Sequence, residues 1–167
     1  AGNPVMKMEL MINQLLGVLE RESELYRSML TVIDKESKAS VRSDLNALTK
    51  AGEEKENILV KLRLIEEQRI RLAREMAEAL GYPPRDYTIT MISQLVGEPF
   101  GGRLSQAGTD LSTVLNTVKD ANHRNKQLFE HSRELLRGSF NLLSELMRSD
   151  MVYYRTGNIQ RTYQTGK

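Results

Sequence analysis

The side chains that could do chemistry here are few, and the two histidines come first, since imidazole is the usual metal ligand and general base near neutral pH. His123 and His131 are eight residues apart. A helical two-metal centre needs two Glu-x-x-His pairs on facing helices. The nearest match is a single Asp120-x-x-His123. The 167-residue chain has no cysteine, which excludes disulfides, thiolate ligands and a thiol nucleophile. Neither histidine has a recognisable serine partner motif for nucleophilic catalysis. The stretch Gly97-Glu98-Pro99-Phe100-Gly101-Gly102 lacks the Gly-Lys-Ser/Thr ending of a phosphate loop and reads as a flexible turn. Glu53, Glu54 and Glu56, and the pair Glu66-Glu67, read as solvated helix face rather than acid/base pairs. No set of titratable groups converges. We therefore expect a binding protein and not an enzyme, with no catalytic residue, no metal and no cofactor.

The elements that would position these residues are long amphipathic helices. Hydrophobic residues make up 40 % of the chain and aromatics 5 %, with no tryptophan. A core of Leu, Met, Ile, Val and Ala suits a helix bundle, because unbranched and γ-branched side chains lose little rotamer freedom in a helix. Apolar residues at steps of three and four predict a first helix over 5–36, through Ile12, Leu15, Leu16, Leu19, Tyr26, Met29, Leu30 and Ile33. The stripe lapses at Glu22-Ser23. Residues 37–43 carry no periodicity and read as a turn, with Ser40 or Ser43 as N-cap of the next helix.

A second helix is expected over 44–80, through Leu45, Leu48, Leu59, Leu62, Ile65, Leu72, Met76 and Leu80. Its stripe lapses between Gly52 and Asn57. Gly81 then suits the C′ position and Pro83-Pro84 forbids continuation. A hairpin turning near residue 39 would set the two lapses face to face, as one polar layer with Glu22 or Ser23 opposite Lys55. Thr88 is placed to cap a short helix over 89–96, which Gly97, Pro99, Gly101 and Gly102 end. A long helix is expected over 103–148, its seam running Leu104, Leu111, Leu115, Val118, Asn122, Asn125, Phe129, Ser132, Leu136, Leu143 and Leu146.

Residues 1–149 thus read as one helical bundle domain. Residues 150–167 read as a weakly ordered, flexible C-terminal tail, with Met151, Val152, Tyr153, Tyr154, Ile159 and Tyr163 set among polar residues. The fold class is all-α: an elongated antiparallel bundle or coiled coil of three long helices plus one short helix, with that tail.

Two features of the last helix bear on binding. Asn122 and Asn125 occupy positions where the stripe should be apolar. They read either as a buried pair that sets register or as partner contacts. Leu135, Leu136, Phe140, Leu142, Leu143, Leu146 and Met147 make an apolar surface wider than one seam. It reads either as core or dimer interface, or as an exposed helix-in-groove surface.

Charge narrows the partners. Residues 1–80 carry 13 basic and 14 acidic groups, residues 81–150 carry 8 of each, and residues 151–167 carry Arg155, Arg161 and Lys167 with no acid. The formal charge of +2 is a tail effect on a neutral body. A nucleic-acid binder would show a basic stripe on its folded part, so none is expected. No apolar run approaches the roughly 18 residues of a membrane span, and Lys7 and Glu9 interrupt the first apolar positions where a secretory signal would need them clear. No stable membrane insertion is expected, and a cytoplasmic location is.

At this point the layout resembles the FlgN-type flagellar export chaperones of bacterial type III secretion, over about residues 10–157. Leu15-Leu16-Gly-Val-Leu19-Glu-Arg-Glu-Ser-Glu-Leu25-Tyr26 resembles the family's opening leucine helix with its Glu-Leu-Tyr element. Val41-Arg-Ser-Asp-Leu45-Asn-Ala-Leu48-Thr-Lys-Ala-Gly-Glu-Glu-Lys55 resembles its turn and second-helix start. Leu64-Ile65-Glu66-Glu67-Gln68-Arg69 resembles its Leu-Glu-x-x-Arg stretch. Asn122-His-Arg-Asn125-Lys-Gln-Leu128 resembles its Asn-x-x-Asn-x-x-Leu element, and Tyr154-Arg-Thr-Gly157 its closing motif.

The resemblance implies an ATP-independent chaperone that keeps the helical C-terminal segments of hook-associated (hook–filament junction) proteins unassembled until the flagellar export apparatus takes them. It places client binding on the C-terminal part, which agrees with Leu135, Leu136, Phe140, Leu142, Leu143, Leu146, Met147, Met151, Val152, Tyr153 and Tyr154. The alternative is a structural coiled-coil adaptor or oligomerisation protein with no export client, forming a homodimer through residues 104–147.

Overall fold

The computed structural model describes the backbone of residues 3–162 and the side chains up to His131, together with those of Glu134 and Asn141. Among the described residues there are four helices and no strand: α1 (Pro4–Val41), α2 (Leu45–Ala79), α3 (Ile89–Val96) and α4 (Phe100–Thr162). The chain forms two compact units, one ending at Asn125 and one starting at Lys126. The second holds the remainder of α4 and no other described element.

Local chemistry sets the helix ends. Asn3 caps α1, its Oδ1 accepting from the Val5 amide at 3.2 Å, with Pro4 at the first helical position, where its missing N–H is no loss. The end of α1 differs from expectation. The helix runs to Val41 instead of 36, because Glu36 and Ala39 are interior positions that continue the buried face. A Schellman closure follows, in which the Asp44 amide donates to the Ala39 carbonyl at 2.9 Å and the Ser43 amide to Ser40 at 3.1 Å. Ser43 takes the left-handed position, with φ 54°, that glycine usually fills.

Neither Ser40 nor Ser43 caps α2. Asp44 does, accepting from the Ala47 amide at 3.0 Å, since only the residue after the left-handed turn has the extended backbone a cap requires. The other end of α2 closes the same way at Gly81, with φ 84°, as the Tyr82 amide donates to the Ala77 carbonyl at 2.9 Å.

Thr88 caps α3 as expected, its hydroxyl accepting from the Met91 amide at 3.2 Å. The connector before it is tied down. Tyr87 is buried and its hydroxyl donates to the Pro83 carbonyl at 2.8 Å. The Arg85 guanidinium lies 5.0 Å from the Tyr87 ring centroid, a cation–π contact.

Gly101 and Gly102, expected in a flexible loop, lie instead in the first turn of α4. Gly101 is buried, and a Cβ there would collide with the Ser93 carbonyl oxygen of α3. The glycine marks close packing of two helices. At its other end α4 reaches Thr162, past the end at 148 read from the stripe. No proline stands between 149 and 162 to break the ladder. Residues 163–167 lie outside the described residues.

The core is the meeting of three long stripes. Ile12, Leu15, Val18, Leu19, Met29 and Ile33 of α1 pack with Leu62, Ile65, Leu72, Ala73 and Met76 of α2 and with Leu104 and Val118 of α4. Ile92 of α3 closes one end. Burying each large aliphatic side chain stabilises by about 1.5–3 kcal/mol, before the entropy of ordering is set against it. Three expected core positions are corrected. Leu45 is 75 % exposed, Leu59 is 43 % exposed, and Leu80, at the C-cap where α2 ends, is exposed as well. Near the turn the interior of α2 is occupied by Ala51 and by Lys55, the start of a polar layer.

Candidate partner-binding site

The hairpin register is the first thing the side chains settle. Lys55 Nζ meets Glu36 Oε2 at 3.0 Å, and Arg69 Nε meets Glu22 Oε2 at 3.0 Å. The expected pairing of Glu22 or Ser23 with Lys55 is therefore overturned. Two polar layers exist in place of one, about 21 Å apart along α1 at 1.5 Å per residue. The cause is the turn: α1 ends five residues later than the stripe suggested, so every partner on α2 shifts.

The layer nearer the turn joins three helices. Glu36 is 7 % exposed and Asn125 is 6 % exposed. Asn125 Nδ2 donates to the Ile33 carbonyl of α1 at 2.9 Å and more weakly to Glu36 Oε2 at 3.4 Å. Lys55 Nζ also donates to Asn122 Oδ1 at 2.9 Å. Lys35 and Glu54 add an exposed ion pair at 2.7 Å beside it. Of the two asparagines, Asn125 faces the interior and Asn122 is exposed. A side-chain amide on a main-chain carbonyl has one correct axial position, so Asn125 fixes α4 against α1 to within a turn.

The second layer joins only α1 and α2. Glu22 is 2 % exposed, and Arg69 bridges it to Glu66 at 3.7 Å. Burial raises the Glu22 carboxyl above its ordinary pKa, and Glu66 raises it further. Arg69 opposes both, through its charge and its hydrogen bond. Burial likewise raises the Tyr26 phenol, with Glu22 and Glu66 adding to it and Arg69 opposing. Among the described residues no buried side-chain polar atom lacks a partner. These layers fix register. Nothing in them presents a nucleophile to an open site.

His123 and His131 are both exposed, and no three His, Asp or Glu side chains gather to hold a metal among the described residues. No helix among them is long and apolar enough to cross a membrane. The side chains of Leu135, Leu136, Phe140, Leu142, Leu143, Leu146 and Met147 lie outside the described residues, as do those of Met151, Val152, Tyr153 and Tyr154. The backbone that carries all of them is α-helix.

The apolar stripes pass over Glu36 and the exposed Val60, and Leu64 and Arg69 stand out in the sequence only within the Leu64–Arg69 stretch. Glu36 is readable only as the next step of three after Ile33. That stretch gives Arg69 no partner, since its pairing with Glu22 depends on the hairpin register. Grooves flank α1 on two sides among the described residues. One, about 650 Å³, lies between α1 and α4 and is lined by Glu20, Arg27, Arg103 and Asp110, so its charges balance. The other, about 450 Å³, lies between α1 and α2.

Compared with known proteins, the sequence matches the family described as FlgN protein over residues 8–161. No curated protein and no solved structure matches it.

Proposed function

The chain belongs to the FlgN protein family of flagellar export chaperones, and from that premise we propose that its clients are the hook–filament junction proteins, bound through their C-terminal helical segments. The observation that carries this reading is the family match, which spans residues 8–161 and so includes both the bundle and the C-terminal part of α4.

The client face we assign is the apolar surface of Leu135, Leu136, Phe140, Leu142, Leu143, Leu146 and Met147, continued by Met151, Val152, Tyr153 and Tyr154. Spacing supports the continuation. Leu136, Phe140, Leu143, Met147, Met151 and Tyr154 follow one another at steps of three and four, the period of one helix face. An amphipathic client segment laid on such a face is shielded from assembly, and ordering entropy offsets part of the burial, which keeps affinity modest. Release then needs no ATP chemistry, only competition at the flagellar export apparatus, in the cytoplasm. The hairpin of α1 and α2 serves as the scaffold that holds α4 through Asn122 and Asn125.

The test is a calorimetric titration of the full chain with a C-terminal fragment of a hook–filament junction protein. The expected result is saturable one-to-one binding with a negative heat-capacity change, lost on removing residues 135–167 and weakened on removing 150–167. Binding that survives loss of residues 135–167 would move the client face elsewhere. No binding, with a stable self-associated species in the same cell, would replace the chaperone reading by a structural adaptor that dimerises through residues 104–147.

A further inference from the structure

A groove of about 450 Å³ runs between α1 and α2. Its α1 wall is Arg21, Leu25 and Ser28, and its α2 wall is Lys61, Leu64 and Gln68. Each wall therefore spans two turns of one helix face, about 10.5 Å at 1.5 Å per residue. Ile65 lies between the walls as floor. Leu64 is 62 % exposed, and Val60, one turn before it, is 48 % exposed. One turn before Arg21 on α1 stands Gly17, where an added Cβ would meet nothing within 4 Å. No described side chain of α3 or α4 lines the groove, and it shares no residue with the groove that faces α4.

Charge decides what fits. Arg21 and Lys61 stand on opposite walls, one cation on each side of the leucines. Neither forms an ion pair among the described residues, although six such pairs form there; Arg21 Nε is turned to the Gly17 carbonyl at 3.3 Å. Glu24 is the one carboxylate at the rim. A helix presenting leucines to Leu25, Leu64 and Ile65 would set its flanking residues beside Arg21 and Lys61, where carboxylates gain and ammonium groups lose.

We propose that this groove docks an acidic amphipathic helix of a partner protein, at a site separate from the client face. It makes the hairpin a second binding surface, so that one chain can hold two helices at once.

The experiment follows amide and methyl NMR signals of the full chain during titration with a designed 15-residue helix bearing leucines on one face and glutamates on both flanks. A twin with lysines in place of the glutamates is the control. Expected are saturable shifts confined to residues 17–28 and 57–68, with the lysine twin at least tenfold weaker. Changing both exposed cations, Arg21→Glu with Lys61→Glu, should cost the acidic peptide at least tenfold and reverse the preference toward the lysine twin, with the thermal midpoint unchanged. Equal binding of both peptides, shifts centred on 135–154 or on the α1–α4 groove, or no binding at all would overturn the proposal. So would concentration-dependent shifts of the same residues without peptide, which would assign the groove to a second copy of the chain.

Discussion

The two polar layers of the bundle use the same ingredients to different ends. The Glu22–Arg69 layer links two helices, and Glu22 is the more deeply buried of its pair. The layer of Glu36, Lys55, Asn122 and Asn125 links three helices, and its lysine stays 24 % exposed. In the first, one guanidinium carries nearly all the compensation for a desolvated carboxylate. In the second, the carboxylate is shared between an ammonium and an amide, and water reaches the edge. A polar contact in a bundle is fragile when it has one partner and tolerant when it has several.

The contrast is broken most sharply at Arg69. Arg69→Ala leaves Glu22 buried beside Glu66 without a cation, and should lower stability by about 3–5 kcal/mol, as for other broken buried pairs. Lys55→Ala should cost less, about 1–2 kcal/mol, because Asn125 and water still serve Glu36. Urea denaturation of both variants reads the difference. Equal losses would mean that the two layers are equivalent.

Acidity sharpens the comparison. The Glu22 carboxyl is raised in the folded state, so the fold binds that proton more tightly than the unfolded chain. The stability this contributes is present below the ordinary carboxylate pKa and is lost as pH rises through the raised folded value. Glu22→Gln should therefore flatten the fall in stability over that window, an effect smaller than the loss of Arg69. An unchanged urea midpoint profile against pH would show that the layer is not desolvated as described. The smallest effect is expected at Asn122. Its amide is exposed, so Asn122→Ala should stay within about 0.5 kcal/mol while Asn125→Ala costs about 1 kcal/mol or more. If the order of these two were inverted in thermal melts, α4 would be held from its outer face.

Much of the bundle is legible in the residues alone. The all-α class, the four helices, the Thr88 cap and the Gly81 stop all come from signals within a few residues of where they act. So does the interest of Asn122 and Asn125, which break a stripe. The family match agrees with the resemblance drawn from the motifs. What was not legible has a common origin. Leu45 and Leu59 look like core because amphipathic period reports a face of a helix and not what covers that face. Gly101 looks like a loop because its reason, the Ser93 carbonyl of α3, belongs to another element.

The sequence by itself determined that this chain makes long helices with one wet and one dry face, and where most of them start and stop, since caps and 3.6-residue periodicity are local. Only the tertiary structure decided which charge meets which. Sliding one stripe along another by a turn changes apolar burial little. The register was chosen instead by the left-handed turn at Ser43, the Asp44 cap and the fit of Asn125 onto the Ile33 carbonyl. Those contacts set Glu36 beside Lys55 and Glu22 beside Arg69, because buried charges demand particular partners while buried leucines accept almost any.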